Sequence, residues 1–211
     1  MQVQINNLEL SAGWTENVGS TINPVAPSGY APVQTAGQLR LYCCGAAYAG
    51  WLAKFVNPLW SLFTTISLQY ALSIDDCTAE VAQVIETDTK VTDSAGWTYD
   101  LSAQFNIAEG WMFQIGNPWK DTGIIVSPPA SNVWTPVQID YALNYAARTS
   151  SVLAVTVAGK KYLVPTTMQN VPAGQVGWTP NQIVTQLQQC IGAQSSAYSV
   201  AFKNINYLLS M

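Results

Sequence analysis

Hydrophobic and polar residues alternate with a period of two along most of this chain, the signature of strands with one buried face. The clearest run lies between residues 81 and 115, where Val81–Lys90 and Tyr99–Ile107 follow back to back and lead into Trp111–Ile115. The same pattern, rich in Val, Ile, Thr, Tyr and Phe, predicts strands over Gln2–Leu10, Gln38–Cys44, Leu62–Ser73, Thr122–Val126, Val137–Ala146, Ser151–Val157, Lys160–Pro165, Ile183–Cys190 and Tyr198–Leu208. Ala158-Gly159, Asp93–Gly96 and Glu109-Gly110 mark tight turns between them. Helical periodicity is scarce. The Ala-rich stretch Ala46–Phe55 predicts one short helical turn, whereas Asn181–Gln189 reads as strand because Ile183, Thr185 and Leu187 alternate with Val184, Gln186 and Gln188. A dozen strands without intervening helices predict an all-β, antiparallel sandwich or barrel. No linker or internal repeat divides residues 1–211, so a single domain is expected, with residues 1–60 the least clearly patterned part.

The alternation also sorts the two faces. Ile85 and Thr87, then Leu101, Ala103, Phe105 and Ile107, then Val137, Ile139, Tyr141 and Leu143, then Leu153, Val155 and Val157 are expected to face inward. Opposite them fall Glu86, Asp88 and Lys90; Ser102, Gln104 and Asn106; Gln114; Gln138 and Asp140; Gln186 and Gln188. Spacing of two sends both Glu86 and Asp88 out of one strand face, and Gln104 and Asn106 out of another. An outer face of acids and amides with so little lysine is unusual for a merely solvated sheet.

Composition narrows the function classes. Charged residues make up 9% of the 211-residue chain, against 49% hydrophobic, so the polar remainder is mostly uncharged. That balance excludes disorder. The net charge is −4 and the eight Lys and Arg are scattered, so no basic patch exists for nucleic acid. With no histidine, Ser-His-Asp and Cys-His nucleophile systems are excluded, and acid–base work would fall to carboxylates, Lys or Tyr. Met1–Leu10 reads as a strand rather than a signal peptide. Phe55–Leu72, the most apolar segment, is interrupted by Asn57, Pro58, Ser61 and Gln69, so membrane insertion is not expected. Cys43 and Cys44 would point to opposite faces of a strand, and with Cys77 and Cys190 they leave free thiols and disulfides both open. No C-x-x-C spacing suggests zinc.

Eight tryptophans, most of them beside Gly, Pro or Asn at loop–strand junctions, add a second chemistry. Indole faces stack on the apolar faces of sugar rings. Trp97, Trp119 and Trp178, on turns, are the platform candidates, while Trp111 and Trp134 begin strands and are expected to pack at the core edge. The bland alternative for Glu86, Asp88 and Lys90 is a charge-balanced surface row, with Lys90 offsetting the repulsion of the two acids.

The run SLQYALSID from Ser67, then Glu86-Thr87-Asp88, Ser102–Asn106, Trp119–Ile124 and Trp134–Val137 resembles the concanavalin A-like lectin/glucanase jelly roll. The Ser151–Tyr162 hairpin and the closing strand Tyr198–Leu208 fit the same layout. More narrowly, the chain is similar to laminin-G/glucanase-like modules of bacterial secreted proteins, over roughly residues 60–211. The resemblance implies two curved antiparallel sheets, a ligand cleft on the concave one, and carbohydrate as the commonest ligand.

Glucanases of this fold carry Glu-x-Asp-x-x-Glu on one strand. Glu86 and Asp88 match the first two places, but the acid/base position falls on Val91. A retaining mechanism needs its second carboxyl at about 5 to 5.5 Å, and Asp140 and Glu80 are the remaining candidates for it. A lyase version would need a base such as Tyr99 or Tyr141 near Arg40 or Arg148. A Ca²⁺ site is common in legume-type relatives, but the local acidic cluster here, Asp75-Asp76 with Glu80, lacks the D-x-D-x-D spacing of an oxygen-rich loop; no cofactor or metal site is expected beyond room for a peripheral Ca²⁺.

The leading expectation is therefore a non-catalytic, lectin-like or adhesion module of the extracellular space or cell surface. It would hold a polysaccharide or glycan with Glu86, Asp88, Gln104, Asn106, Gln114 and Gln186, with Trp97 and Trp119 stacking at the rim. Because uncharged strand edges need covering, a self-assembling subunit of a shell, fibre or surface layer, with a homo-oligomer as partner, is the alternative. A glycoside hydrolase or polysaccharide lyase is the third.

Overall fold

A computed structural model describes residues 1–10, 14–18, 33–35, 37–43, 48–56, 59–75, 84–116, 118–164, 167–169, 179–190 and 198–211. In chain order, the strands are β1 (Gln2–Ile5), β2 (Thr15–Val18), β3 (Val33–Thr35), β4 (Gln38–Cys43), β5 (Tyr48–Val56), β6 (Thr65–Ile74), β7 (Val84–Thr92), β8 (Thr98–Asp100) and β9 (Ala103–Asn106). They continue with β10 (Met112–Ile115), β11 (Lys120–Ile125), β12 (Thr135–Asn144), β13 (Thr149–Val157), β14 (Lys160–Leu163), β15 (Thr167–Gln169), β16 (Gln182–Cys190) and β17 (Tyr198–Ser210).

Two antiparallel sheets result. Sheet I runs β14-β13-β12-β6-β17-β4-β3, with β1 also beside β17 and β15 beside β13. Sheet II runs β11-β10-β9-β7-β16-β5-β2, with β8 also beside β7. Consecutive strands often lie in different sheets, as β6 and β7 do. Of the sandwich or barrel that the pattern allowed, this two-sheet arrangement is the sandwich, and it is the all-β jelly roll that the resemblance implied.

The inner faces follow the period of two. From sheet I, Leu68, Tyr70, Leu72, Ile139, Tyr141, Phe202 and Tyr207 are buried. They meet Ile85, Val91, Phe105, Phe113, Ile183 and Leu187 of sheet II, all in one apolar cluster. Fully burying side chains of this size stabilises the fold by about 1.5–3 kcal/mol each. The interior also has a polar layer. Thr87 and Thr89 of β7 and Thr185 of β16 are buried there, and Thr185 and Tyr207 hydrogen-bond across the sheets through their hydroxyls. Tyr70 and Tyr141 point into the same layer, their hydroxyls making no hydrogen bond among the described residues. The Ser150 hydroxyl adds another tie between sheets, donating to the Asp100 carbonyl at 2.8 Å.

Several expectations need correction. Ala46–Phe55 supplies no helical turn in its described part: Tyr48–Val56 is a full strand paired along its length with β16. Sheet pairing overrides the modest helix preference of its alanines. Gln2–Leu10 stops being a strand at Ile5, and Leu8–Leu10 forms a short 3-10 turn. The Tyr99–Ile107 run is two strands, broken at Leu101-Ser102. Leu153 is 43% exposed rather than inward. There β12 and β13 slip register: Asp140 faces Ala154 while Tyr141 faces Val152, so Leu153 is the extra residue of a β-bulge and the alternation reverses. The inward placement of Val155, Val157 and the other residues expected in the core agrees with their burial.

Candidate functional site

β7 pairs with β16 from Val84 to Thr92 without a slip, so its side chains alternate strictly. Ile85, Thr87, Thr89 and Val91 go to the core, and Glu86, Asp88 and Lys90 go to the outer face of sheet II. On the other side β7 pairs with β9, setting Glu86 opposite Gln104. β9 in turn sets Gln104 opposite Gln114 on β10, and β10 sets Gln114 opposite Asp121 on β11. Through β16, Glu86 also stands opposite Gln188, and Asp88 opposite Gln186. The registers therefore align Asp121, Gln114, Gln104, Glu86 and Gln188 in one row crossing five strands.

Hydrogen bonds lock the row. Gln104 donates to the Gln114 side-chain oxygen, which also accepts from Asn106 Nδ2 at 3.4 Å. Gln114 Nε2 then donates to Asp121 Oδ1 at 2.6 Å and to Glu109 Oε2 at 3.3 Å. Glu109 is held in its turn because its backbone N–H donates to Asn106 Oδ1 at 3.2 Å. Both functional ends of the Gln114 amide are thus used, which fixes its orientation. The middle of the row is nearly closed off, with Glu86 7%, Gln104 5% and Gln114 6% exposed. Asp121 and Glu109 are exposed and Asn106 is half-buried.

A second cluster lies beside it. The Ser102 hydroxyl contacts carboxylate oxygens of both Asp88 and Asp100, and its N–H donates to Asp100 Oδ1 at 2.9 Å. That local Asx-type turn separates β8 from β9. Lys90 Nζ sits 3.1 Å from Asp88 Oδ2. The face thus gathers Glu86, Asp88, Asp100, Glu109 and Asp121, against Lys90 and, in register with it across Val184, Lys54, an acid-rich field that disfavours anionic ligands.

The other sequence candidates fall as follows. Trp119 is half-buried in the turn between β10 and β11, two residues before Asp121. Trp97 is half-buried elsewhere, with the Arg148 guanidinium 3.8 Å over its ring. It belongs to the Asp93 turn, whose carboxylate accepts the N–H groups of Ala95 and Trp97 at 2.9 Å each. A cation–π partner already covers that ring face. Trp111 is buried against Phe105, and Trp134 is half-buried with Lys203 Nζ 4.1 Å over its ring. Trp178 and Glu80 lie outside the described residues, as do the side chains of Gln186, Gln188 and all four cysteines.

The catalytic alternatives meet geometric obstacles. Position 91 is an odd number of residues from Glu86 on an unbroken strand, so Val91 is buried in the core and any residue there would face inward. Asp140 is on the outer face of sheet I, bound by Ser67 at 2.8 Å and Lys161 at 3.2 Å, with the whole sandwich between it and Glu86. Tyr99 and Tyr141 are fully buried, and burial pushes both hydroxyl pKa values up. Tyr99 donates to Asp93 Oδ2 at 3.0 Å. Among the described residues no three Asp, Glu, Cys or His side chains form a metal-binding group. Asp75 directs both carboxylate oxygens to the Ser199 N–H at 2.7 Å.

Sequence reasoning missed Asp100, Glu109 and Asp121 as site members. Asp121 immediately follows the Trp119-Lys120 pair, but its place opposite Gln114 depends on a register slip between Phe113 and Gln114. Glu109 was legible only as a turn residue.

No protein-family model matches the chain, and no curated protein sequence matches it either. Solved structures do. Lectin UEA-II in complex with galactose aligns over 99% of each chain at 6% identity and TM-score 0.57. Arcelin-5, a lectin-like defence protein from Phaseolus vulgaris, aligns over 100% of this chain and 99% of its own at 9% identity and TM-score 0.53. Alginate lyase Aly36B covers 100% of this chain and 96% of its own at 12% identity and TM-score 0.53. Identities this low speak to architecture alone, and the architecture agrees with the strand order and the two-sheet packing: the chain has the concanavalin A-like jelly-roll fold.

Proposed function

We propose that the outer face of sheet II is a non-catalytic binding surface for a neutral glycan. The observation that carries this reading is the locked row from Asp121 through Gln114 and Gln104 to Glu86. Its nearly buried amides form a rigid floor. The exposed or half-buried Asn106, Glu109, Asp121, Asp88 and Lys90 supply donors and acceptors fixed in direction, which is what discriminates among sugar hydroxyls. Trp119 gives an aromatic surface at the end of the face. The excess of five carboxylates over Lys90 and Lys54 favours a neutral polysaccharide over an anionic one. An extracellular or cell-surface location belongs to the same proposal; among the described residues no helix is long and apolar enough to cross a membrane.

Cleavage is disfavoured by position. The motif carboxylate Glu86 cannot pair with Asp121: the two are three strand spacings apart, about 14 Å, well beyond the roughly 6.5–9.5 Å of an inverting pair. Glu109 and Asp121 share Gln114 Nε2 and lie near each other, but that amide ties both down. Asp88 is committed to Lys90 and Ser102. The test is binding of the intact chain to immobilised neutral and anionic polysaccharides, alginate included, with Asn106→Ala and Asp121→Ala variants. Retention on a neutral polysaccharide that both variants lose supports the proposal. Reducing-sugar or unsaturated-product release would overturn its non-catalytic part.

Assembly is the second reading, and one observation favours it. Leu163 on edge strand β14 is 75% exposed and Ile125 on edge strand β11 is 51% exposed. Apolar edges of this kind invite pairing with another copy. Sedimentation at rising concentration, with Leu163→Lys as control, checks it; a wild-type chain that stays monomeric removes it.

A further inference from the structure

The outer face of sheet I carries a second polar row that the proposed function does not use. Asn206 stands opposite Gln69, Gln69 opposite Gln138, Gln138 opposite Thr156, and Thr156 opposite Lys161. Its amides are also oriented. Asp140, bound by Ser67 and Lys161, accepts from Gln138 Nε2 at 2.6 Å, and the Gln138 oxygen accepts from Gln69 Nε2 at 3.0 Å.

Beside this row the face is hollow. Between Lys203, opposite Ala71, and Asn206, opposite Gln69, β17 takes one residue more than β6. Asn204 adopts φ +52° at that bulge and is exposed, while Ile205 turns into the core. Asn206 is pinned there, donating to the Asn204 carbonyl at 2.9 Å and accepting from the Asn7 N–H at 2.9 Å. Ala71, Pro136 and the hairpin glycine Gly159 are too small to fill the space between these amides. A cavity of about 300 Å³ results, at the small end of ligand-binding pockets.

We infer that this groove is a second glycan-binding site, for a short stretch of a neutral sugar chain. Its lining joins amide and hydroxyl groups to small apolar residues, matching a ring that has hydroxyls at its rim and C–H groups on its faces. The charges nearby are already paired, Lys161 with Asp140 and Lys203 with Trp134, so nothing in the groove selects for an anion. With sites on opposite outer faces, one chain would bridge two polysaccharide strands. The inference shares with the proposed function the ligand class, not the residues.

Calorimetric titration of the full chain with neutral hexasaccharides of β-glucan, galactan and mannan types tests it, with turbidity of the parent polysaccharides as a second readout. The wild type is expected to bind two ligands per chain and to cross-link. Ala71→Trp, which fills the groove, should leave one ligand and no turbidity. Gln69→Ala/Gln138→Ala should weaken the same site at least tenfold with the melting temperature near that of the wild type. A single ligand per chain, indifferent to both variants, overturns the inference, as does no binding by any of the sugars. If the groove variants abolish binding while Asn106→Ala and Asp121→Ala do not, the groove stands and the sheet II reading falls.

Discussion

The two faces of β7 are polar in different ways. Outward it shows Glu86, Asp88 and Lys90, whose neighbours are amides, carboxylates and solvent. Inward, among apolar residues, it shows Thr87, whose hydroxyl donates to the Ala103 carbonyl at 3.2 Å, and Thr89, both buried in the hydroxyl layer. Groups that ionise are confined to the outside because an unpaired charge in the core costs several kcal/mol, whereas a hydroxyl can share one hydrogen bond with a facing hydroxyl. The difference separates the two roles of the strand: the inner face governs stability, and the outer face is where a ligand can be held.

The hardest test of that division is Val91→Glu, which supplies the missing carboxyl at the sequence position where a hydrolase would have it. Because position 91 faces the core, the expected outcome is a loss of about 3–5 kcal/mol in urea denaturation and no hydrolysis. A well-folded variant that cut polysaccharide would collapse the distinction between the faces.

Alkaline pH probes the inner face next. Burial raises the Tyr207 hydroxyl from 10.0 to about 12, and raises Tyr70, Tyr99, Tyr141 and Tyr145 as well. A group whose pKa is raised by folding holds its proton more tightly in the folded state. Its stabilising contribution is complete below pH 10 and is lost as pH climbs through the folded value. Tyr207 alone accounts for about 3 kcal/mol on this reckoning, so unfolding midpoints should fall steeply above pH 10, together with a cooperative rise in tyrosinate absorbance. Tyrosines that titrate at their ordinary value without unfolding would show that the hydroxyl layer is open to water.

Within that layer the tyrosines should part company. Tyr207→Phe strands the Thr185 hydroxyl and should destabilise by about 1–2 kcal/mol, while Tyr141→Phe removes a hydroxyl without a bonded partner and should be neutral or stabilising by about 1 kcal/mol. Equal losses from the two would mean that Tyr141 is bonded as well.

The outer face should respond in binding rather than stability. Gln104→Ala removes one of the four hydrogen bonds that orient the Gln114 amide and should weaken glycan affinity up to about tenfold, equivalent to about 1.4 kcal/mol, with little change in melting temperature. Smallest of all, Lys90→Met removes a partly exposed ion pair, expected to be worth less than about 1 kcal/mol and to fade with salt. Trp119→Ala should lower affinity, whereas Trp97→Ala should cost stability alone through its lost contact with Arg148.

The fold was largely readable from alternation, because a period of two survives wherever a strand has one buried face. It failed where backbone geometry broke the period. The Leu153 bulge exposes a leucine, and the Asp100–Ser102 turn divides a strand. Ala-rich Tyr48–Val56 is a strand because two neighbours, β2 and β16, pair with it. The candidate site was half readable. Glu86, Asp88, Gln104, Asn106 and Gln114 share a face by parity alone, but Trp97 is claimed by a loop more than 50 residues further along the chain.

What the sequence determined by itself is the list of outward polar groups and the absence of imidazole chemistry, since parity and composition need no partner strand. Only the tertiary structure decided which of those groups stand opposite one another. Register put Asp121 at the end of the glutamine row, sent Asp140 to the other sheet, and turned Val91 into the core. Those outcomes depend on hydrogen bonding between strands far apart in the chain, where a slip of one residue exchanges the two faces.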